Sequence, residues 1–113
     1  MIKPDDPRKL AEDLLSRSTC AVQVAAVIAD NAGIFSWGWN HQGFGGFGAH
    51  AEVEAIRRAN KKRLSGATIY VASKRRKSGN ALLSKPCDEC QKWLWAYGIG
   101  QVVYRDKEGV WRG

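Results

Sequence analysis

The sequence predicts a three-layer α/β/α sandwich built on a mixed sheet of four to five strands. Three observations lead there. The chain has 113 residues, 44% hydrophobic and 26% charged, which suits one compact domain, residues 1–113, around one core. Its hydrophobic patterning changes type along the chain in the order helix, strand, strand, helix, strand, helix, strand. The final strand–helix–strand unit should cross over so that residues 68–71 and 102–104 run parallel, with helices covering both faces of the sheet.

Each element has a local cause. Residues 7–17 read as a first helix, with Asp6 as cap, Pro7 at the first helical position and Leu10, Leu14 and Leu15 on one face. Residues 20–28 are rich in Val and Ala and end at Asp30-Asn31-Ala32-Gly33, a turn signal; with residues 34–39 they form a hairpin. A glycine-dense loop covers 40–48. Residues 49–63 read as a second helix striped by Ala51, Ala55, Ile56 and Ala59 and stopped by Gly66. Residues 67–72 read as a strand and 73–85 as a polar, basic insertion. Pro86 opens a third helix that ends at Gly98. Residues 101–105 read as a strand, and Val110-Trp111 as a short edge.

Charge points to a phosphate-bearing partner or to a solvated face. Eighteen Lys and Arg against eleven Asp and Glu give +7. Between Ala55 and Cys87 stand ten basic residues and no acidic one, a block that favours phosphate but also keeps a surface soluble. Five Trp residues suit base stacking or a core. The longest apolar run, residues 20–29, is too short for a membrane span and contains Gln23, so no membrane partner is expected. The first residues have no apolar stretch behind Lys3, and the chain reads as cytoplasmic. Three cysteines cannot all pair and fit a reducing compartment. Cys20, in an apolar run, reads as a buried small hydrophobe.

Gly43-Phe44-Gly45-Gly46-Phe47-Gly48 satisfies G-x-G-x-x-G. Dinucleotide binding nevertheless fails, because the ribose-binding acid expected about 20 residues on is missing around 68–71. The run reads instead as a loop that brings two aromatics to the mouth of a pocket.

His50-Ala51-Glu52 and Pro86-Cys87-Asp88-Glu89-Cys90 carry the chemistry. Thiolates at i and i+3 share a helical face, and a helix N-terminus favours their charge. A histidine in the first turn of another helix can complete three ligands, leaving a zinc ion one corner for water, as catalytic sites do. A closed structural site would need a fourth ligand, and His41, the only other histidine, sits in a different loop from both clusters. The CxxC alone would also fit a thiol redox pair, which leaves His50-Ala51-Glu52 unused.

These residues match the H-x-E…P-C-x-x-C pattern of zinc deaminases of nucleobases. Together with the element order and Gly38-Trp39-Asn40, which is similar to a G-x-N element on the second strand, they make the chain resemble the cytidine deaminase-like superfamily over nearly its whole length. The resemblance implies that His50, Cys87 and Cys90 bind Zn2+ and that Glu52 shuttles protons. It also implies that Asn40 contacts sugar or base, that the Ala51 N–H receives the base carbonyl, and that the Ser84 carbonyl meets the leaving amine. The chemistry needs such groups: aromatic amines resist hydrolysis at neutral pH, and zinc lowers the pKa of water from 15.7 to about 7. By helical spacing alone, however, Glu54 lies nearer His50's side than Glu52, unless it pairs with Arg58 at i+4.

Residues 73–85 depart from the simplest relatives. They resemble an insertion of small viral and microbial deaminases and bring Arg75 and Arg76 to the expected pocket rim, where they hold a phosphate or form a solvated loop. Phe44, Phe47, Trp37 and Trp39 flank Asn40 as stacking candidates, although strand alternation sends some of them to the core. Little chain follows Val110, so an open cleft or a homo-oligomer is expected. The expected activity is deamination of cytosine to uracil in a nucleotide or single-stranded nucleic acid. Purine deamination, or a non-catalytic zinc-containing nucleic-acid-binding module, are the alternatives.

Overall fold

The computed structural model describes residues 6–41, 50–86 and 88–113. Phe44, Phe47 and Cys87 lie outside the described residues, as does the glycine-rich run around the two phenylalanines. Helix α1 spans Pro7–Leu14, strands β1 and β2 Val22–Asp30 and Gly33–Trp39, helix α2 Ala51–Arg58, strand β3 Thr68–Arg75, helix α3 Asp88–Ala96, and strands β4 and β5 Gln101–Arg105 and Trp111–Arg112. The sheet order is β2-β1-β3-β4-β5. β3 and β4 are parallel, with Ile69 beside Val102 and Val71 beside Tyr104; the other pairs are antiparallel. The mixed five-stranded sheet with helices on both faces is the expected sandwich.

Strand alternation builds two cores. Ala26, Ile28, Ile69 and Val71 pack with Ala51, Ala55 and Ile56 of α2 and Leu94 of α3. Ala25, Val27 and Ala72 pack on the opposite face with Ala11, Leu14 and Leu15. Ala26 lies opposite Val71 and Ala25 opposite Ala72, so a one-residue slip would exchange the two cores.

Several boundaries differ from the sequence reading. α1 gives way after Leu14 to a 3₁₀ turn, Leu15–Arg17. α2 starts at Ala51, not at 49, and stops at Arg58, well before Gly66. Ala59 is extended, and the Asn60 side chain accepts the Lys62 N–H to cap a separate 3₁₀ turn, Lys61–Arg63. Asn offers the backbone this local alternative to continuing a helix. The Lys61 ammonium donates to the Arg57 and Ala59 carbonyls at the broken end. Gly66, at φ +79°, serves the turn into β3 instead.

The basic insertion is largely structured. Pairing with β1 carries β3 on to Arg75, opposite Val22. The chain then reverses: Gly79 N–H donates to the Arg75 carbonyl (2.8 Å), Arg75 N–H to that of Asn80 (2.9 Å), and Leu82 N–H to that of Ser73 (3.1 Å). Gly79, at φ +75°, supplies the left-handed residue the reversal needs. Cys20, expected to be buried, is half-buried instead, in the turn before β1, where its N–H donates to the Ser18 hydroxyl. The short edge is Trp111–Arg112, one residue later than expected, with the Trp111 indole N–H donating to Glu12.

Candidate active site

The ends of β2, β1 and β3 at Trp39, Val22 and Arg75 lie at one end of the sheet. From there the chain enters α2 and α3, so the first turns of both helices gather at that end. His50 is the N-cap of α2, extended at φ −73° and ψ 139°, and its ring makes no capping bond. The imidazole reaches α3 instead, where Nδ1 lies 3.4 Å from Cys90 Sγ. Donor atoms of His50, Glu52 and Cys90 all lie within 4.8 Å of one another. Cys90 is buried and Glu52 is only 6% exposed.

Glu52, not Glu54, occupies the position beside these donors. Glu54 pairs with Arg58 at 3.1 Å, one turn along α2. Spacing on a regular helix favoured Glu54, but His50 is not helical: it stands before the first turn with extended backbone, so the angular count does not apply to it. Burial pushes the Glu52 carboxyl above the usual carboxylate range, while its own backbone N–H and the His50 charge pull it down. A carboxyl beside the candidate metal donors is placed to take up and release a proton during the reaction.

A cavity of about 290 Å3 opens beside the cluster, lined by His50, Val53, Glu89, Cys90 and Trp93. Val53 and Trp93 were missed from the sequence. For Trp93 the signal was available: it stands three residues after Cys90 and so on the same side of α3. Trp93 packs edge-on to Tyr97, with ring centroids 5.0 Å apart.

The remaining expected residues that the structure describes lie around this end of the sheet. Ala51 is the first residue of α2, where the amides have no acceptor within the helix. Asn40 follows β2, and its Oδ1 accepts from the Ser18 hydroxyl (2.6 Å) and the Val24 N–H (2.9 Å) while Nδ2 donates to the Val22 carbonyl (2.8 Å). One amide hydrogen of Asn40 is left without an acceptor among the described residues. Ser84 is buried, with its hydroxyl 2.8 Å from that of Ser73 and its N–H donating to the Arg105 carbonyl. Arg75 and Arg76 line another cavity, with Thr19, Ala21 and Lys77. Trp39 packs in the α1-side core, with the Arg17 and Arg58 guanidinium carbons 5.6 and 5.2 Å from its ring centre; Trp37 is exposed.

The family described as the cytidine and deoxycytidylate deaminase zinc-binding region matches residues 7–106. The chain belongs to this family. Its deaminase fold recurs in the apo crystal structure of dCMP deaminase from the cyanophage S-TIM5, at 25% identity, TM-score 0.70, over 93% of this chain and 86% of that one. Cytidine deaminase from Burkholderia pseudomallei matches at 20% identity, TM-score 0.71, over 98% of this chain and 91% of that one. The cyanophage enzyme in complex with dCMP and dUMP matches at 24% identity, TM-score 0.70, over 94% of this chain and 85% of that one. A search of the curated proteins finds no match.

Membership makes the chain a cytidine or deoxycytidylate deaminase with zinc as cofactor. The donors fit that ion: thiolate and imidazole suit zinc, and His50, Glu52 and Cys90 lie within the residues that the family matches. No helix among the described residues is long and apolar enough to cross a membrane.

Proposed function

We propose that this deaminase converts cytosine to uracil hydrolytically, with release of ammonia, on a substrate that carries phosphate. The observation behind the reading is the buried Glu52 carboxyl within 4.8 Å of the His50 and Cys90 donors. In this reading His50, Cys87 and Cys90 are the zinc ligands. Zinc, when bound, supplies a water acidic enough to attack near neutral pH. Glu52 accepts a proton from that water and passes it to the ring nitrogen beside the attacked carbon. It then transfers the second proton to the departing amine. The water oxygen becomes the carbonyl oxygen of uracil, and both its hydrogens have moved through Glu52.

The other roles are those that the family resemblance and the residues' chemistry suggest. The Ala51 N–H is suited to the base carbonyl and the Ser84 carbonyl to the leaving amine. The Asn40 amide hydrogen with no acceptor among the described residues is suited to sugar or base, and Phe44 and Phe47 to stacking. Arg75 and Arg76 are suited to phosphate, an anion that the planar guanidinium grips with two parallel N–H groups. The cyanophage relative in complex with dCMP and dUMP supports a phosphorylated substrate.

Incubation of the purified protein with cytidine, dCMP, single-stranded DNA and RNA, read by product mass and released ammonia, tests the reading. Uracil should form from a phosphorylated substrate. Glu52→Gln should lower kcat by at least about 10²–10⁴-fold while zinc content stays the same. Full activity in that variant, or ammonia from no cytosine substrate, would overturn it.

A further inference from the structure

A second cavity, of about 350 Å3, lies at the same end of the sheet, lined by Thr19, Ala21, Arg75, Arg76 and Lys77. It shares no lining residue with the cavity beside His50 and Cys90. Three of its five lining residues are cations, and none of the described lining residues is acidic.

The cations are held in place. The Arg76 N–H donates to the Ala21 carbonyl (2.9 Å), and its guanidinium lies 3.4 Å from the Thr19 carbonyl. The reversal at Gly79 fixes the other side through Arg75. The loop that anchors Arg76 also carries Ser18, whose hydroxyl donates to Asn40. One short segment thus joins this cavity to the residue suited to sugar or base.

The cavity straddles the end of the sheet. Ile69 and Val71 face α2 and α3, so alternation puts Arg75 on the side that carries His50 and Cys90. Arg76 is tied instead to the loop that leads from α1 into β1.

These cations have no carboxylate partner among the described residues, unlike Arg63 at the opposite end of β3. There Arg63 forms two hydrogen bonds to Asp30 (2.7 and 2.8 Å), and Lys61 is taken up by carbonyls. Arg75, Arg76 and Lys77 form no ion pair among the described residues.

We propose that this cavity holds a backbone phosphate next to the target nucleotide, so that the substrate is single-stranded nucleic acid. A mononucleotide offers its phosphate at one point beside its own sugar. A cationic cavity separate from the base pocket, and reaching round to the other side of the sheet, suits a chain that continues past the target. Neutralising such phosphates releases counterions and makes affinity fall with salt. The inference rests on the reading of a phosphorylated cytosine substrate, but its test bypasses the chemistry.

Fluorescence anisotropy with labelled decathymidylate and decauridylate, which contain no cytosine, measures strand binding alone. The wild-type protein should bind at least one of them, with log K falling linearly with log salt. Arg76→Ala with Lys77→Ala should weaken binding about tenfold or more and flatten that slope by about 1.4, roughly 0.7 per lost phosphate contact. Lys9→Ala with Lys62→Ala removes the same charge from residues that do not line this cavity and should change affinity by less than about threefold. Equal losses in the two double variants, or no wild-type binding to either strand, would overturn the proposal. Deamination of dCMP without strand binding sinks this inference alone; strand binding without deamination of any cytosine substrate sinks the enzymatic reading.

Discussion

Gly38 on β2 runs against the backbone of Ala55 on α2: a Cβ built on Gly38 would lie 2.8 Å from the Ala55 nitrogen and 2.7 Å from the Glu54 Cβ. The neighbouring Ser36 hydroxyl donates to the Ala55 carbonyl. The missing side chain therefore sets how closely α2 lies on the sheet, and with it where His50 and Glu52 stand. Gly38→Ala should push the helix outward, cost about 1–3 kcal/mol as overpacked cores do, and lower kcat/KM. Urea denaturation and deaminase assays on the same preparation check both effects; unchanged stability would contradict the close packing.

Asn40 ties the end of β2 to the start of β1 through three side-chain hydrogen bonds. Asn40→Ala leaves the Val24 N–H and the Val22 carbonyl without these partners and should destabilise the fold by about 1–3 kcal/mol. Asn40→Asp keeps both acceptor bonds, loses the donated one, and should cost less. Thermal denaturation of the two variants gives the order, and a reversed order would contradict the geometry.

The Arg63 guanidinium beside Asp30 holds that carboxyl below the usual carboxylate range. A folded-state pKa below the unfolded value contributes stability above the unfolded value, and the contribution disappears as pH falls through the folded value. Asp30→Asn should therefore destabilise the protein at neutral pH, and the difference from wild type should shrink below about pH 4. Urea midpoints from about pH 7 down to about pH 2.5 measure this. A difference that grew on acidification would reverse the sign and refute the pairing.

Removing zinc separates the cysteines. Cys90 is buried beside His50, whereas Cys20 is half-buried in a turn at the start of β1. Chelation should abolish turnover and added zinc should restore it. Cys20→Ser should keep both metal and activity, while Cys90→Ser should lower zinc content well below one ion per chain. Metal analysis alongside the assay distinguishes them, and retained zinc in Cys90→Ser would contradict its role as ligand.

The sheet and its helices were legible because they rest on periodicity. Ala25, Val27 and Ala72 face one core and Ala26, Ile69 and Val71 the other, as period-two alternation requires. The His50 and Cys90 pairing was legible from two short patterns, each at a helix start. What escaped depended on local competition or tertiary approach. Asn60 ends α2 with a side-chain bond that apolar striping does not register. Residues 73–75 read as loop by composition, yet pairing with Val22, Gln23 and Val24 makes them strand. The resemblance assigns Glu52 rather than Glu54; it is the spacing argument alone that misses the extended backbone of His50.

The most direct measurement is the zinc K-edge absorption spectrum of the purified protein. His50, Cys87 and Cys90 as ligands predict two sulfurs at about 2.3 Å, with one nitrogen and one water oxygen at about 2.0–2.1 Å. A shell of four protein donors without water, or one with a single sulfur, would contradict the account.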